Sequence, residues 1–388
     1  MPCIMHLVIH PYLSLRGFFP KQSPVEYANI YIRIPSSVSM ERGIIMAIMK
    51  QIRMVFDLNK CIGCHTCAMA CKTMWTDRDA GQMHMYWMNV ETQPGTGYPK
   101  DWENQGGWFN ADRNTIPLPN IYQGYGAPWE YNYKEVLKTE GGDTSAPKLF
   151  PSPKPSEHHY ASNWDEDVGK GTFPNSYYFY LPRICNHCTD PPCVEACPRQ
   201  TIYKRSEDGI VLIDSKRCRG YRYCVKGCPY KKIYYNPEEK ISQKCIFCYP
   251  RIEEHKGNFC ATQCVGRISW IGYADDTNSN IYKLINKWKL ALRLHPEYKT
   301  EPNVFYIPPL SPPTYSFTGK LTNSPRIPID MLAKMFGDTH DQNYDQRATR
   351  MKQIFDILQN ERNKVASGGN SELIDILISR SEADRFQV

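Results

Sequence analysis

Long apolar runs are missing from this chain: the longest clean one, Gly43 to Met49, has seven residues, whereas a bilayer crossing needs roughly 18 to 20. The N-terminus also lacks the marks of a signal peptide. Its apolar stretch is broken by His6, His10 and Pro11, the first basic residue is Arg16, and no Arg pair occurs. These absences predict a soluble chain with no export address of its own. An excess of one charge is lacking too. Lys and Arg number 47 against 40 Asp and Glu, interspersed, for a net charge of +7. Such a balance demands neither a nucleic-acid nor a membrane partner. Nothing resembles a phosphate-binding loop or a nucleophile–base pair, and the His residues show no ligand spacing.

What is present is aromatic, proline and above all cysteine. The 388 residues are 41% hydrophobic, enough for a core, and include 26 Tyr and 30 Pro, which predicts much irregular chain pinned by aromatic rings. Of the 16 Cys only Cys3 stands alone. The first group is Cys61-x2-Cys64-x2-Cys67-x3-Cys71, and the second is Cys185-x2-Cys188-x4-Cys193-x3-Cys197-Pro198. The third is Cys218-x5-Cys224-x3-Cys228-Pro229, and the fourth is Cys245-x2-Cys248-x11-Cys260-x3-Cys264. A disulfide scaffold would be short and would scatter its Cys through loops.

Each group closes with Cys-x3-Cys, and two then have Pro, as in the bacterial ferredoxin run. Cys-x2-Cys wraps a tight turn around one face of a cubane, with backbone N–H groups aimed at the sulfides. The last Cys is expected to begin a helix and to reach the other cluster of a pair. Zinc also takes Cys-x2-Cys, but a four-thiolate zinc site closes with two such knuckles and needs no further Cys at x3. Iron–sulfur clusters are therefore expected. The third group departs from the pattern, with Tyr221 where the second Cys belongs. A phenol of pKa about 10 is a poor iron ligand beside thiolates. The expected occupant is a [3Fe–4S] cluster, with Tyr221 over the open corner. A [4Fe–4S] cluster with water or hydroxide on its fourth iron is the alternative.

Spacing alone does not say which groups pair. Only Pro198 to Arg217 separates the second and third, a length that suits a strand or hairpin, and Ile210-Val211-Leu212-Ile213 reads as that strand. The first and fourth would then pair across the intervening chain. Crossing the last Cys of each run gives Cys61, Cys64, Cys67 and Cys264 as one [4Fe–4S] set, and Cys71, Cys245, Cys248 and Cys260 as another. Cys185, Cys188, Cys193 and Cys228 form the third, and Cys197, Cys218 and Cys224 the [3Fe–4S] set.

Beyond cysteine, the chain resembles the iron–sulfur (beta) subunits of the type II dimethyl sulfoxide reductase-family molybdenum enzymes. These include ethylbenzene and dimethyl sulfide dehydrogenases, selenate, chlorate and nitrate reductases, and nitrite oxidoreductase. The matching stretches are Phe56-Asp57-Leu58-Asn59-Lys60-Cys61-Ile62-Gly63-Cys64-His65-Thr66-Cys67, Tyr86-Trp87-Met88-Asn89-Val90-Glu91-Thr92 and Leu181-Pro182-Arg183-Ile184-Cys185-Asn186-His187-Cys188. Cys218-Arg219-Gly220-Tyr221-Arg222-Tyr223-Cys224 and Glu301-Pro302-Asn303-Val304-Phe305-Tyr306 complete them.

The resemblance implies the same cluster pairing, a catalytic alpha subunit with a molybdenum bis-guanine-dinucleotide cofactor, and often a haem b gamma subunit. It implies that the Cys61 cluster lies nearest the molybdenum partner and the three-iron cluster nearest the haem. Tyr221 stands where nitrate reductase beta subunits carry Trp and the ethylbenzene dehydrogenase-like subgroup carries Tyr. That subgroup's catalytic unit is periplasmic, which implies co-export with a partner bearing a twin-arginine signal. The alternative is the cytoplasmic face of the membrane.

The expected fold class is α+β. Residues 50–77 and 178–277 form two ferredoxin-like double-cluster modules, residues 78–177 a long irregular, partner-facing insertion, and residues 278–388 a helical and Pro-rich C-terminal arm. Residues 1–49 are unassigned, with Met40, Met46 and Met49 available as later starts. Ile281, Leu284, Ile285, Trp288 and Leu292 follow a helical stripe, and Met351, Ile354, Phe355 and Leu358 mark a last amphipathic helix. Lys216, Arg217, Arg219, Arg222, Lys226, Lys231 and Lys232 crowd the three-iron motif, where positive charge favours the reduced cluster. The expected function is an electron-transfer subunit relaying single electrons between the molybdenum subunit and a haem b subunit or other redox partner. A free polyferredoxin carrier and a zinc-ribbon nucleic-acid binder are the competing classes.

Overall fold

A computed structural model of the chain describes residues 50–76, 80–107, 169–310, 313–338, 340–341 and 343–388. It also describes Tyr125 and two short paired strands, Pro128–Glu130 and Lys154–Tyr160. The N-terminal extension 1–49, much of the insertion 78–177 and the Trp164-Asp165-Glu166-Asp167 stretch lie outside the described residues.

Ile52-Arg53-Met54-Val55-Phe56 is a run of β-favouring residues, and it forms the strand Ile52–Asp57 near the middle of a six-stranded mixed sheet. The order across the sheet is Phe336–Gly337, Leu292–Leu294, Val304–Ile307, Ile52–Asp57, Ser269–Tyr273 and Phe386–Gln387. Ile52–Asp57 runs antiparallel to Ser269–Tyr273 and parallel to Val304–Ile307. All four residues of Val304–Ile307 are buried, as befits an inner strand covered on both faces.

The register at one end of this sheet has a consequence for the cysteines. Phe56 pairs with Ser269, and Asp57 N–H donates to Ile268 O at 2.8 Å. Cys61 follows Phe56 by five residues and Cys264 precedes Ser269 by five. The first and fourth cysteine groups therefore leave the same end of one antiparallel pair. The second and third groups are joined by the hairpin Ile202–Lys204 with Val211–Ile213, where the sequence predicts a strand or hairpin. A second hairpin, Ile233–Asn236 with Ile241–Lys244, joins the third to the fourth. Asn89–Gln93 of the insertion pairs antiparallel with Phe179–Arg183, which leads into Cys185.

The chain after residue 278 differs from an extended arm. Val304–Ile307 is core, because its four β-favouring residues outweigh the prolines that bracket them. Pro313–Tyr315 forms a hairpin with Leu321–Pro325, with Phe317 fully exposed at its tip and Tyr315 hydrogen-bonded to Asn175. Of the helical stripe, Ile281 and Leu284 are buried, and Ile285 and Trp288 pack partly against the core. Leu292 is not helical but belongs to a sheet strand. The helix Tyr344–Ala366 buries Met351, Ile354, Phe355 and Leu358 as their spacing predicts, and begins with an Asn343–Gln346 capping box. Two short helices follow it, Glu372–Ile378 and Glu382–Arg385.

Candidate metal-cluster sites

The four cysteine groups share a local geometry. In every group the residue before the second position is left-handed: Gly63 (φ 66°), His187 (φ 43°), Gly220 (φ 64°) and Phe247 (φ 54°). This turn folds the Cys-x2-Cys segment back on itself. The Cys before the closing one is then the second residue of a helix in each group: Cys67 in Thr66–Trp75, Cys193 in Pro192–Glu195, Cys224 in Tyr223–Gly227 and Cys260 in Phe259–Thr262. The last Cys comes one turn later. It therefore lies within or just after the helix rather than beginning one, since i and i+4 share a face about one pitch apart.

Tyr221 follows left-handed Gly220 as Cys64 follows left-handed Gly63. Left-handed Arg222 and His65 come next, each directly before the residue that opens the helix. The third group thus has the backbone of the first, with a phenol in place of a thiol.

Charge coupling among the side chains shows which cysteines are neighbours. Cys61 and Cys67 each feel Cys64 and Cys264. Cys260 feels Cys248, Cys71 and Cys245. Cys193 feels Cys228, Cys185 and Cys188. Cys224 feels Cys218 and Cys197. These couplings link the last cysteine of one group to the cysteines of another, as crossing expects. Others, however, also run between the expected sets, since Cys260 feels Cys67 and Cys245 feels Cys185.

Two sets ring resolved cavities. Cys185, Cys188, Cys193 and Cys228 line one. Cys197, Cys218 and Cys224 line the other, together with Arg219, Tyr221 and Arg222. Among the described residues no three His, Cys, Asp or Glu side chains gather closely enough for a lone metal ion, and all fifteen described cysteines are free.

Burial differs between the sets. The Cys71 and Cys185 sets are wholly buried, whereas Cys64 is exposed, and Cys61, Cys264 and Cys197 are half-buried. Burial, reinforced by neighbouring thiols, pushes Cys61, Cys224 and Cys245 up to about 12, and holds Cys71, Cys193 and Cys260 well above the usual thiol range. Bound iron would displace those protons outright. The donor set fits such a group, because N–H donors already point at sulfur. Trp75 Nε1 donates to Cys248 Sγ at 3.1 Å, Phe247 N to Cys245 Sγ at 3.3 Å and Thr201 N to Cys197 Sγ at 3.4 Å.

A family model described as a 4Fe-4S dicluster domain matches residues 176–274, and one described as a 4Fe-4S binding domain matches residues 52–73. The chain is 50% identical to the selenate reductase subunit beta of Thauera selenatis, with 87% of this chain and 99% of that protein covered. It is 49% identical to the dimethylsulfide dehydrogenase subunit beta of Rhodovulum sulfidophilum over the same shares. With the respiratory nitrate reductase 1 beta chain of Escherichia coli (strain K12) the identity is 36%, over 76% of this chain and 78% of that one. The chain belongs to the iron–sulfur beta subunits of the type II dimethyl sulfoxide reductase-type molybdenum enzymes.

Like those beta subunits it is an electron-transport component built on 4Fe–4S domains. In this beta subunit the basic residues near Tyr221 divide in two. Arg219 donates to the carbonyls of Lys216 and Cys218, and Arg222 lies 5.1 Å from the Tyr235 ring centroid. Lys231 and Lys232, read from sequence as part of the same crowd, are instead buried and do not line the three-cysteine pocket, Lys232 pointing to Tyr86 and Asn89. Burial pushes the Lys232 ammonium down to about 7 and Lys231 to about 8.

Sequence reasoning also passed over a buried hub. Glu91 accepts from Arg183 Nε at 2.6 Å, Tyr98 N at 3.0 Å, Trp102 Nε1 at 3.1 Å and Asn89 Nδ2 at 3.1 Å. Arg183 also donates to the carbonyls of Tyr230 and Tyr98, and stacks 3.7 Å from the Trp102 ring centroid. This ties the insertion to the segments around Cys185 and Cys228. The signal was present as Glu91 and Arg183 inside two motif stretches, but their pairing is not local.

Proposed function

We propose that the four sets hold three [4Fe–4S] clusters and one [3Fe–4S] cluster in two ferredoxin-like double-cluster modules. The chain then relays single electrons between a molybdenum bis-guanine-dinucleotide alpha subunit and a haem b subunit or other redox partner. Bound clusters supply one-electron chemistry. The chain's own residues supply thiolates, direct N–H groups at sulfur and exclude water from the two inner sets. The observation that carries the reading is the gathering of fifteen cysteines as four, four, four and three, with Tyr221 at the position of Cys64. The outer sets reach the surface while the inner two are sealed, which suits a path with two ends. The Cys61 end faces the alpha subunit and the Cys197 end the haem or its equivalent.

Beta subunits named for selenate reduction and dimethyl sulfide dehydrogenation are equally close to this chain. The substrate is therefore set in the alpha subunit. The complex is periplasmic, with the chain exported folded on a partner that bears a twin-arginine signal; finding the complex in the cytoplasmic fraction alone would refute this location.

Elemental analysis of anaerobically purified protein should give about fifteen irons per chain, from three four-iron sites and one three-iron site. Oxidation should produce a three-iron EPR signal. The Tyr221→Cys variant should raise the count by one and abolish that signal. About sixteen irons in the unaltered chain, with no such signal, would overturn the assignment of Tyr221.

A further inference from the structure

Two buried ammonium groups lie where the Cys71 set meets the Cys185 set. Lys232 is 1% exposed and donates to Tyr86 O at 2.9 Å, Asn89 Oδ1 at 2.5 Å and Tyr234 OH at 3.0 Å. Its charge acts on Cys71 of one set. Its backbone N–H hydrogen-bonds Cys228 of the other, and it lines that set's cavity. Lys244 is 3% exposed and donates to Val211 O and to Cys245 O. Its charge acts on Cys245 of one set and Cys193 of the other.

Among the described residues neither lysine forms an ion pair with a carboxylate. Glu91, whose charge acts on Lys232, directs its hydrogen bonds to Arg183, Tyr98, Trp102 and Asn89 instead. A buried cation served only by neutral acceptors is costly unless a negative charge stands nearby. Each set of four thiolates, once it binds iron and sulfide, is such a charge, and these lysines adjoin two of them.

We propose that Lys232 and Lys244 form a cationic bridge between the two inner sets, one that stabilises the added electron at both and leaves the three-cysteine site alone. The proposal rests on the reading of the sets as cluster sites. Both lysines are positioning residues: they touch no substrate, and they act through the charge they hold between sulfur-rich neighbours at short range in a low-dielectric interior.

The test is an EPR-monitored redox titration of the purified complex carrying Lys232→Met or Lys244→Met, with Lys232→Arg and Lys244→Arg as charge-retaining controls. With iron content unchanged, two centres should show a reduced-to-oxidised ratio at least tenfold lower at a fixed potential. That is a fall of 59 mV or more for a one-electron couple. The three-iron signal should titrate as in the unaltered complex, and the Arg variants should restore the two shifted centres. Should one Met variant lose iron, the other carries the test. Unmoved potentials, an equal shift in all four centres, or iron loss in Met and Arg variants alike would overturn the bridge. Four signals that do not move are distinct from an unaltered complex lacking four signals, which would instead sink the reading of the sets.

Discussion

Removing Glu91 should destabilise the chain more than any surface change, and the structure supplies the reasons. Glu91 and Arg183 are 2% and 1% exposed at the side chain, with Nε and Oε1 2.6 Å apart. Truncation to Ala leaves the Arg183 guanidinium in the interior without its counter-charge, a change that costs about 3–5 kcal/mol. The Trp102 indole N–H and the Tyr98 N–H lose their acceptor as well, each at about 1–3 kcal/mol if nothing replaces it. These losses overlap, since Arg183 keeps its two carbonyls, so a total near the top of the first range is expected. Denaturant unfolding of the Glu91→Ala chain, followed by tryptophan fluorescence, measures it. In the double variant Glu91→Ala, Arg183→Ala the loss should fall clearly short of the sum of the singles, because no orphaned charge remains. A single-variant loss under about 1 kcal/mol, or strictly additive singles, would refute a fully desolvated pair.

The crossing of the last cysteines separates two further variants. Cys264→Ser should perturb the Cys61 set and spare the three-iron signal, whereas Cys197→Ser should remove that signal and spare the Cys61 set; loss of the three-iron signal in Cys264→Ser sinks the crossing. His295 holds Glu103 and Glu297 at 2.8 Å through its two ring nitrogens. Burial works against its charge, but those carboxylates prevail and raise its pKa above the usual 6.5. A raised histidine contributes stability that is full below its unfolded pKa and lost as pH rises through the folded one. Hydrogen exchange at Trp102–Asn104 should therefore quicken with pH above that point beyond the intrinsic rate. An unchanged excess in His295→Gln would exclude His295 as the cause.

The local geometry of the cysteine groups was legible because their spacing is local: a turn, a left-handed residue and one helical turn can be read within a dozen positions. The pairing of groups is less local: the short link between Cys197 and Cys218 only suggests it. The central sheet could not be read. Ile52–Asp57, Ser269–Tyr273 and Val304–Ile307 are far apart in the chain, and the last lies between Pro302 and Pro308, which argue locally for an extended arm. Lys231 and Lys232 were misread for a related reason. They follow Cys228 in sequence, so they were counted with Arg219 and Arg222. Yet the chain turns at left-handed Lys231 and carries Lys232 inward to Tyr86 and Asn89.

The first and third groups differ in one ligand position on a shared backbone. Both place a left-handed glycine, then the second ligand position, then a left-handed residue and a helix whose second residue is Cys. Their surroundings are alike as well, since Cys64 and Tyr221 are both exposed. Backbone geometry is therefore not what would withhold an iron from the third group. One side chain is. A phenol at that point supplies no thiolate, while the shared backbone keeps the other three ligands in register. On the proposed reading, the third site would differ from the first in its chemistry rather than its architecture, a difference that a single codon records and a fold comparison would not.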